Sequence, residues 1–410
     1  MPSPPADRRT FLKETLGALG VTFLHPDLSE ILPTLQGPPL RVGLIGAGRQ
    51  GRAIIAELQK IPQVEIAAIC DTSSSRAETA VGRVAGSEGF ADHRELLARR
   101  DDVRAVIVAT PTHLHRQIVE DAITAGRHVY CEAPVASTID DCRALTAAAA
   151  PAGTVVQAGL VGRSNPTYKR AQPLVRTELR ELVGLEAHAS QKTSWRFPAT
   201  GGLTDRDVNW RLDPDVSIGL AGEVGVQQFD VAHWFRRGYP TRIAGRGAIR
   251  LHRDGRTVAD TIDLDLFWED DVALRYGATL ASSYGGQYEL IRGANGTIRL
   301  AWSHGWLFKE NDAPTQGWEV YATRQDFFGE EGIVLIANAT QLAEQGTLLE
   351  GAGLPHPSLY YALVDFVRSA TEGAPVACSM EEGARATIVG ILANQAVVTG
   401  QPVEVPSFST

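Results

Sequence analysis

A chain of 410 residues is long enough for two domains with well-filled cores, and its 44% hydrophobic and 21% charged content is ordinary for a globular protein. The net charge of −9, with no basic run longer than an arginine pair, argues against nucleic acid as a partner. No apolar run reaches the roughly 18 residues of a transmembrane helix.

The first 36 residues resemble a targeting signal rather than part of a folded domain. Residues 7–13, DRRTFLK, resemble the twin-arginine export signal, and the mildly apolar residues 15–24 have the length of a signal core. We therefore predict export to the periplasm in a folded, cofactor-loaded state, and a cytoplasmic protein if this signal is not functional. No A-x-A cleavage site follows, so the segment is either cut at an unusual place or retained as an arm or anchor. The alternative is an amphipathic helix that packs on a neighbouring subunit.

The next element combines an apolar strand with a glycine-rich turn. Residues 41–51, RVGLIGAGRQG, end in G-x-G-x-x-G, and the following RAIIAELQK predicts a helix. In this motif Gly46 permits a tight turn, Gly48 lets the backbone approach a pyrophosphate, and Gly51 lets the helix pack on the strand. The amides at the start of the helix, around Arg49 and Gln50, can hold the phosphate charge.

A second strand, Val64 to Cys70, ends in an acidic residue. Asp71 lies twenty residues after Gly51, where a carboxylate accepts hydrogen bonds from an adenosine ribose. This position favours NAD over NADP, because a carboxylate repels a 2′-phosphate. Arg76 in the following helix is able to neutralise such a phosphate, so NADP stays possible.

Two further buried strands each lead into a segment of polar and turn-forming residues. Val103 to Ala109 precedes Thr110-Pro111-Thr112-His113-Leu114-His115, and His128 to Cys131 precedes Glu132-Ala133-Pro134. Strands that alternate with helices at this spacing predict a parallel, doubly wound sheet, whose ligand crevice lies beyond the carboxyl ends of its strands. Further along, Ile262 to Phe267 alternates apolar and polar residues, which predicts an antiparallel meander with one wet face.

These motifs, in this order, resemble the Gfo/Idh/MocA oxidoreductases over roughly residues 40 to 405. The matching features are G-x-G-x-x-G, the acid at Asp71, T-P-x-x-x-H at residues 110–115, the E-x-P turn at 132–134 and a closing G-x-P-V at 400–403. The resemblance implies an α/β fold: an N-terminal Rossmann domain and a C-terminal α/β domain with a large, mostly antiparallel sheet. It also implies NAD or NADP, a sugar or polyol substrate, and a homo-oligomer, dimeric or tetrameric.

We accordingly divide the chain into an arm (1–36), a Rossmann domain (37–157) and a C-terminal substrate and oligomerisation domain (158–410). The cofactor-binding residues implied by motif and resemblance are Gly46, Gly48, Arg49, Gln50, Gly51, Asp71, Arg76, Thr110, Pro111, His115, Glu132 and Pro134. No metal site is predicted, because the four cysteines show no C-x-x-C spacing.

The sequence departs from the family at the two positions that usually carry the chemistry. Most members have E-K-P, with the lysine near the nicotinamide and the substrate hydroxyl, whereas this chain has Ala133. The usual D-x-x-x-H pair aligns on Glu223 and Gln227, and Asp230 keeps a later acid of the pattern. A glutamine binds a hydroxyl but cannot act as a general base.

Three interpretations follow from these losses. The chain oxidises its substrate with a different base, for which Glu223, Lys192 or a nearby histidine is a candidate if burial tunes its pKa. It uses NAD as a glycosidase, as some relatives do, through transient oxidation of a sugar carbon, elimination and addition of water. Or it is a non-catalytic scaffold or binding protein that keeps the fold.

Polar and aromatic residues after two later strands are candidates for the substrate face. Arg163 follows the strand Val155 to Leu160, and Trp195 and Arg196 follow Leu185 to Ser190. Tryptophan stacks on sugar rings and arginine bridges hydroxyls, although both residue types also mark protein interfaces.

Overall fold

The computed structural model describes residues 38–200, 202–322, 324–327, 330–335 and 353–408. The predicted arm and its export signal lie outside the described residues, so both stay predictions. No helix in the described ranges has the length and apolarity needed to cross a membrane.

The first sheet is wholly parallel and is built from short buried strands. Its strands are β1 (Leu40–Ile45), β2 (Val64–Cys70), β3 (Glu88–Phe90), β4 (Ala105–Val108), β5 (His128–Glu132) and β6 (Val156–Gly159). They lie in the order β3-β2-β1-β4-β5-β6. The alternating helices are α1 (Arg49–Leu58), α2 (Ser74–Val81), α3 (His93–Arg99), α4 (His115–Thr124) and α5 (Ile139–Ala149). This arrangement confirms the predicted Rossmann domain and brings the ends of β1, β2, β4 and β5 to one edge.

The second sheet is larger and mostly antiparallel. Its strands are β7 (Leu182–Ser190), β8 (Arg242–Ala248), β9 (Thr261–Phe267), β10 (Ala273–Thr279), β11 (Gln287–Gly293), β12 (Gly296–Leu300), β13 (Gly305–Lys309), β14 (Arg324–Phe327), β15 (Glu330–Val334) and β16 (Val403–Glu404). They follow the order β14-β15-β13-β12-β11-β7-β10-β9-β8-β16, and the β7–β10 pair is parallel. In β9, Ile262, Leu264 and Leu266 are buried whereas Asp263 and Asp265 are exposed, which confirms the predicted wet face.

The chain after β6 also contributes helices. They are α6 (Pro166–Leu174), α7 (Asp205–Asn209), α8 (Gly219–Glu223), α9 (Gly225–Arg236), α10 (Ser358–Glu372) and α11 (Met380–Thr399). Helices α9 and α11 pack against the sheet, and α11 also contacts α5 of the Rossmann domain.

Helix α10 returns to fill the core of the first sheet. Leu363 and Phe366 of α10 share one buried cluster with Leu44 and Ile54, and Phe366 packs edge-on against Tyr130 at 5.8 Å between ring centroids. The side chain of Gln157 donates to the Ala362 carbonyl at 3.1 Å. The predicted boundary between 157 and 158 falls inside β6, which belongs to the first sheet. The packing of that sheet also draws on helix α10, much later in the chain.

A buried carboxyl lies between the second sheet and α9. Glu289 on β11 accepts hydrogen bonds from Tyr168 and, at 2.9 Å, from Gln228 Nε2. Burial raises the pKa of Glu289 to about 7, although those hydrogen bonds oppose the shift. The Gln228 Oε1 atom beside it is buried without a partner.

We expect Glu289→Gln to remove a pH-dependent loss of stability. The folded protein holds this proton more tightly than the unfolded chain, so the wild type loses stability as pH rises from about 4.5 to 7 and stays lower above it. The loss from this group is on the order of 1–3 kcal/mol. The glutamine amide stays neutral: its oxygen can accept from Gln228 Nε2 as the carboxyl oxygen does, and its NH₂ group can donate to the Tyr168 hydroxyl.

The measurement is denaturant unfolding of both proteins between pH 5 and 8.5, with the exposed Glu181→Gln as the control. The difference between wild type and E289Q should grow across this range, whereas E181Q should run parallel to the wild type. A pH-independent difference for E289Q would contradict the assignment.

Candidate functional site

The glycine turn after β1 is shaped by two close backbone approaches. Gly46 has φ of +101°, and a Cβ there would lie 2.6 Å from the Ala109 carbonyl oxygen at the end of β4. A Cβ on Gly51 would lie 1.9 Å from the Gly46 oxygen. A Cβ on Gly48, by contrast, would meet no protein atom within 4 Å. The turn therefore leaves an open cradle at the N-terminus of α1, where a pyrophosphate needs backbone contact.

Asp71 fastens this turn from the end of β2. Its Oδ2 accepts from the Ala47 amide at 2.8 Å, and its Oδ1 accepts from the Ser73 amide at 2.9 Å. Each oxygen keeps a further lone pair, so the carboxylate can still accept from ribose hydroxyls. Arg76 lies nearby and is half-buried. It faces the second domain, because its positive charge helps the hydrogen bonds from Thr204 to lower the pKa of Asp207 on α7.

The turns after β4 and β5 are joined through His115. Its Nδ1 lies 3.0 Å from the Pro134 carbonyl oxygen and its Nε2 lies 2.9 Å from that of Thr110. Burial lowers the pKa of His115 to about 4, so the ring is neutral near pH 7 and donates to one carbonyl at a time. His115 thus braces the two turns, and Pro111 begins the first of them.

Three buried polar atoms at these strand ends lack a protein partner. They are Thr110 Oγ1, His113 Nδ1 and Glu132 Oε1. Burial raises the pKa of Glu132 to about 7, opposed by the neighbouring Gln50 and Tyr130. Buried orphan atoms carry a cost unless another molecule satisfies them. Together with the open cradle at Gly48 and the Asp71 carboxylate, they fit a dinucleotide that runs along this edge of the sheet.

A second carboxyl, Glu223, lies where the C-terminal domain meets the β4 turn. Its side chain is only 1% exposed. Thr112 donates to it at 3.3 Å, and Arg211 Nε lies 3.3 Å from its Oε2. Burial raises the pKa of Glu223 although both neighbours oppose that shift. A buried carboxyl with a raised pKa, joined to a hydroxyl at this edge of the sheet, is a candidate for proton exchange.

Gln227, at the histidine position, is held by backbone. Its Oε1 accepts from the Val161 amide at 3.1 Å, and its Nε2 donates to the Gly159 carbonyl at 2.9 Å. Both ends of the amide are therefore engaged at the end of β6. We infer that Gln227 fixes α9 to the first sheet rather than handling a proton.

Asp230 and Arg163 form a buried ion pair with each other. Arg163 Nη2 lies 2.7 Å and Nε 2.9 Å from the Asp230 carboxylate, with side chains 8% and 1% exposed, and Arg163 also pairs with Glu382. This geometry joins β6, α9 and α11. It argues for a structural role of both residues, and against Arg163 as a free substrate ligand.

The predicted substrate residues after β7 separate into different environments. Lys192 is exposed, and Trp195 is buried with φ of +57°. Arg196 lies 2.8 Å from Asp254, which also pairs with Arg256. Arg196 therefore anchors its own loop, whereas Trp195 turns towards the Glu223 cluster, where the Arg211 guanidinium lies 5.8 Å from its ring centroid.

The loop from Trp195 onward reaches the Rossmann domain at several points. We call residues 195–200 and 202–213 the cover segment. Phe197 lies 5.7 Å from the guanidinium of Arg49, and Asn209 holds the Phe197 backbone with hydrogen bonds of 2.7 and 2.9 Å. The ring centroids of Trp210 and His113 lie 5.9 Å apart. The segment thus touches both the glycine turn and the β4 turn.

The sequence analysis missed three residues of this segment: Phe197, Trp210 and Arg211. The paired aromatic and basic residues in W-R-F (195–197) and N-W-R (209–211) were the available signal. Among the described residues, no three histidine, cysteine, aspartate or glutamate side chains converge as a group able to hold a metal.

A parallel sheet with a glycine cradle, joined to a mostly antiparallel sheet that supplies a buried carboxyl, defines a two-domain dinucleotide-binding protein. The profile described as "Oxidoreductase family, NAD-binding Rossmann fold" matches residues 40–160, and that of the "GFO/IDH/MocA C-terminal domain" matches residues 182–299. The two matches together span more than half of the chain, which therefore belongs to the Gfo/Idh/MocA family. This confirms the family and the NAD-binding character of the first domain.

Individual relatives carry different activities in their names. Inositol 2-dehydrogenase of Pseudarthrobacter chlorophenolicus is 35% identical over 36% of this chain and 44% of that protein. Glycosyl hydrolase family 109 protein 2 of Shewanella sp. ANA-3 is 30% identical over 47% of each. The chain spans about half the length of the curated relatives it matches.

The fold also matches solved structures over nearly its whole length. A levoglucosan dehydrogenase, solved with NADH and levoglucosan, superposes with a TM-score of 0.71 and 19% identity, covering 90% of this chain and 100% of the other. At this identity the likeness is one of fold.

We expect Gly48→Ala to weaken nucleotide binding without unfolding the protein. Gly48 has φ of −66°, which alanine adopts freely, and its Cβ would enter open space where the pyrophosphate is expected. The dissociation constant for NAD should rise roughly tenfold or more. Calorimetric titration with NAD and thermal unfolding without it measure the two effects separately.

Gly51→Ala is the matched control, because its Cβ would collide with backbone inside the protein. It should lower the stability of the nucleotide-free protein by about 1–3 kcal/mol or more. If G48A bound NAD as tightly as the wild type, the proposed cradle would be in the wrong place.

Proposed function

We propose that this protein is an NAD-dependent oxidoreductase that acts on a hydroxyl group of a carbohydrate-like molecule, with Glu223 as the proton acceptor. The observation that carries the proposal is the buried Glu223–Thr112–Arg211 cluster beside the strand end that bears the unpartnered Thr110 and His113 atoms. Membership of an oxidoreductase family and the dehydrogenase relative support the reaction type.

The residues present fit the cofactor at three points. Gly48 gives the pyrophosphate backbone access, Asp71 offers lone pairs to the adenosine ribose, and Thr110 and Glu132 bring unpartnered oxygens to the strand ends that follow. Bound NAD supplies the hydride acceptor. The carboxylate at Asp71 favours NAD, and the half-buried Arg76 leaves NADP as the second possibility.

The protein's own part in the reaction is to hold the substrate and take its proton. Oxidation of an alcohol releases one hydride and one proton, and Glu223 in its ionised form accepts the proton. Thr112 orients the carboxylate through its hydroxyl, while Arg211 stabilises the ionised form. This division of roles replaces the missing lysine and histidine, because Ala133 carries no charge and both ends of Gln227 are engaged with backbone.

An NAD-using glycosidase is the second candidate. The glycosidase relative from Shewanella supports it, and it needs the same cofactor and the same proton acceptor at the first step. A non-catalytic scaffold remains the third possibility, and it predicts no turnover of any sugar.

We expect the purified protein to release NAD on denaturation, identified by absorbance and mass spectrometry. The cover segment contacts the glycine turn through Phe197, so bound nucleotide should survive purification. Addition of sugars and polyols to the holoprotein should then produce the absorbance of the reduced nicotinamide. Net hydrolysis of a glycoside without net reduction would favour the glycosidase instead. Absence of nucleotide, together with no binding of added NAD or NADP, would overturn both enzyme proposals and leave the scaffold.

We expect Glu223→Gln to lose turnover and to lose the acid limb of the pH profile. Burial raises the pKa of Glu223, so in the wild type the ionised, proton-accepting form appears, and kcat rises, only as pH passes above the ordinary carboxyl range. Loss of a general base lowers kcat by roughly 10²–10⁴. Single-turnover reduction of bound NAD between pH 5 and 9 measures both effects.

Glu132→Gln is the comparison variant, because Glu132 also has a raised pKa at the same edge of the sheet. It should keep the acid limb. Persistence of that limb in E223Q together with its loss in E132Q would transfer the role of base to Glu132.

A further inference from the structure

Arg211 is fixed between two tryptophan rings. It lies in the short turn after α7, and its guanidinium carbon lies 4.3 Å from the Trp210 ring centroid and 5.8 Å from that of Trp195. Both tryptophans are buried. Contact with aromatic rings restrains a guanidinium and partly desolvates it, while its N–H groups keep their hydrogen-bonding capacity.

Most of the hydrogen-bonding capacity of this guanidinium is unused by the protein. Its Nε contacts Glu223, but neither terminal nitrogen has a hydrogen-bond acceptor among the described residues. The Arg211 side chain is 38% exposed, so these nitrogens are accessible to a ligand. Two adjacent nitrogens on a rigid plane match the two oxygens of a carboxylate.

The positive charge of Arg211 meets a single carboxyl group among the described residues. That group is Glu223, which it contacts through Nε at 3.3 Å. The nearby Arg206 and Asp213 pair with each other at 2.8 Å and so contribute little net charge. The turn after β5 adds no cation, because Ala133 stands where a lysine is usual. Arg211 is thus the cation that this cluster presents.

We propose, building on the oxidoreductase function above, that the substrate is a carbohydrate that carries a carboxylate, such as a uronic or aldonic acid, and that Arg211 binds this carboxylate through its two terminal nitrogens. Substrate binding would bury the guanidinium further. A neutral sugar would offer the terminal nitrogens only neutral acceptors, whereas a carboxylate accepts two parallel, charge-assisted hydrogen bonds from them. Glu223 then accepts the proton during hydroxyl oxidation, and the neighbouring Arg211 binds the carboxylate.

The experiment compares acids with their neutral counterparts on the NAD-loaded protein. The probes are D-glucuronate with D-glucose, D-galacturonate with D-galactose, and D-gluconate with D-glucitol, each titrated calorimetrically and each assayed for nicotinamide reduction. In the wild type, we expect at least one acid to bind about 10- to 100-fold more tightly than its neutral partner. Measuring binding as well as reduction keeps the test independent of turnover.

Substitution of Arg211 should erase this preference. In Arg211→Met, the ratio of the affinity for the acid to that for its neutral partner should fall to about one. In Arg211→Lys this ratio should be intermediate, because an ammonium keeps the charge but cannot donate two parallel hydrogen bonds. Arg206→Met removes the same charge from the same segment, at a residue paired with Asp213, and should keep the wild-type ratio. Thermal unfolding and bound-nucleotide content show that each variant is folded; if R211M does not fold, R211K carries the comparison.

The inference is overturned if no acid binds more tightly than its neutral partner, or if the preference survives in R211M or is lost equally in R206M. Its failure is separable from that of the oxidoreductase proposal. Reduction of NAD by neutral sugars alone would refute the carboxylate while leaving the oxidoreductase in place. Carboxylate binding that depends on Arg211, in a protein with no nucleotide, would support this site and refute the enzyme.

Discussion

The close approach of the glycine turn to the ends of β2 and β4 is the constraint on which the rest of the crevice depends. The first glycine allows backbone of β1 and β4 to lie nearly in contact, and the Asp71 carboxylate holds the same turn through the Ala47 amide. With these distances set, the segments after β4 and β5 have little freedom, and His115 links their carbonyl groups. The C-terminal domain adds the Glu223 carboxyl at this edge of the first sheet, whose shape the first domain has already set.

Loss of the usual lysine and histidine changes which groups can carry charge at that edge. Gln227 does not titrate. Its side chain instead forms hydrogen bonds with two backbone groups at the end of β6, which hold α9 to the first sheet but provide no acid–base chemistry. The acid that precedes it, Glu223, then stands without a histidine to orient. Its burial raises its pKa, Thr112 and Arg211 oppose that shift, and this combination is the basis on which we propose it as the proton acceptor.

The cover segment contains residues that we propose to serve both cofactor and substrate. The Arg196–Asp254 pair anchors it to the C-terminal domain, and Asn209 ties the Phe197 backbone to the rest of the segment, so its position does not depend on the nucleotide alone. From those anchors Phe197 reaches the glycine turn, while Trp210 and Arg211 reach the β4 turn and Glu223. The residues that we propose to retain the cofactor and to select the substrate thus lie in a single stretch of chain.

The sequence by itself determined the features that depend on local backbone and spacing. The glycine pattern, the acid twenty residues later, the alternation of β9 and the order of strands and helices each follow from neighbouring residues. Together they predicted the fold, the family and the NAD-binding character of the first domain. Only the tertiary structure decided the roles of side chains whose partners lie far along the chain. Arg163 meets Asp230 and Glu382, Gln227 meets Gly159, and Arg211 stacks between rings that come from both ends of one loop. The reason is physical: a side chain's charge and hydrogen bonds are set by what packs around it, and no spacing in the sequence encodes that packing.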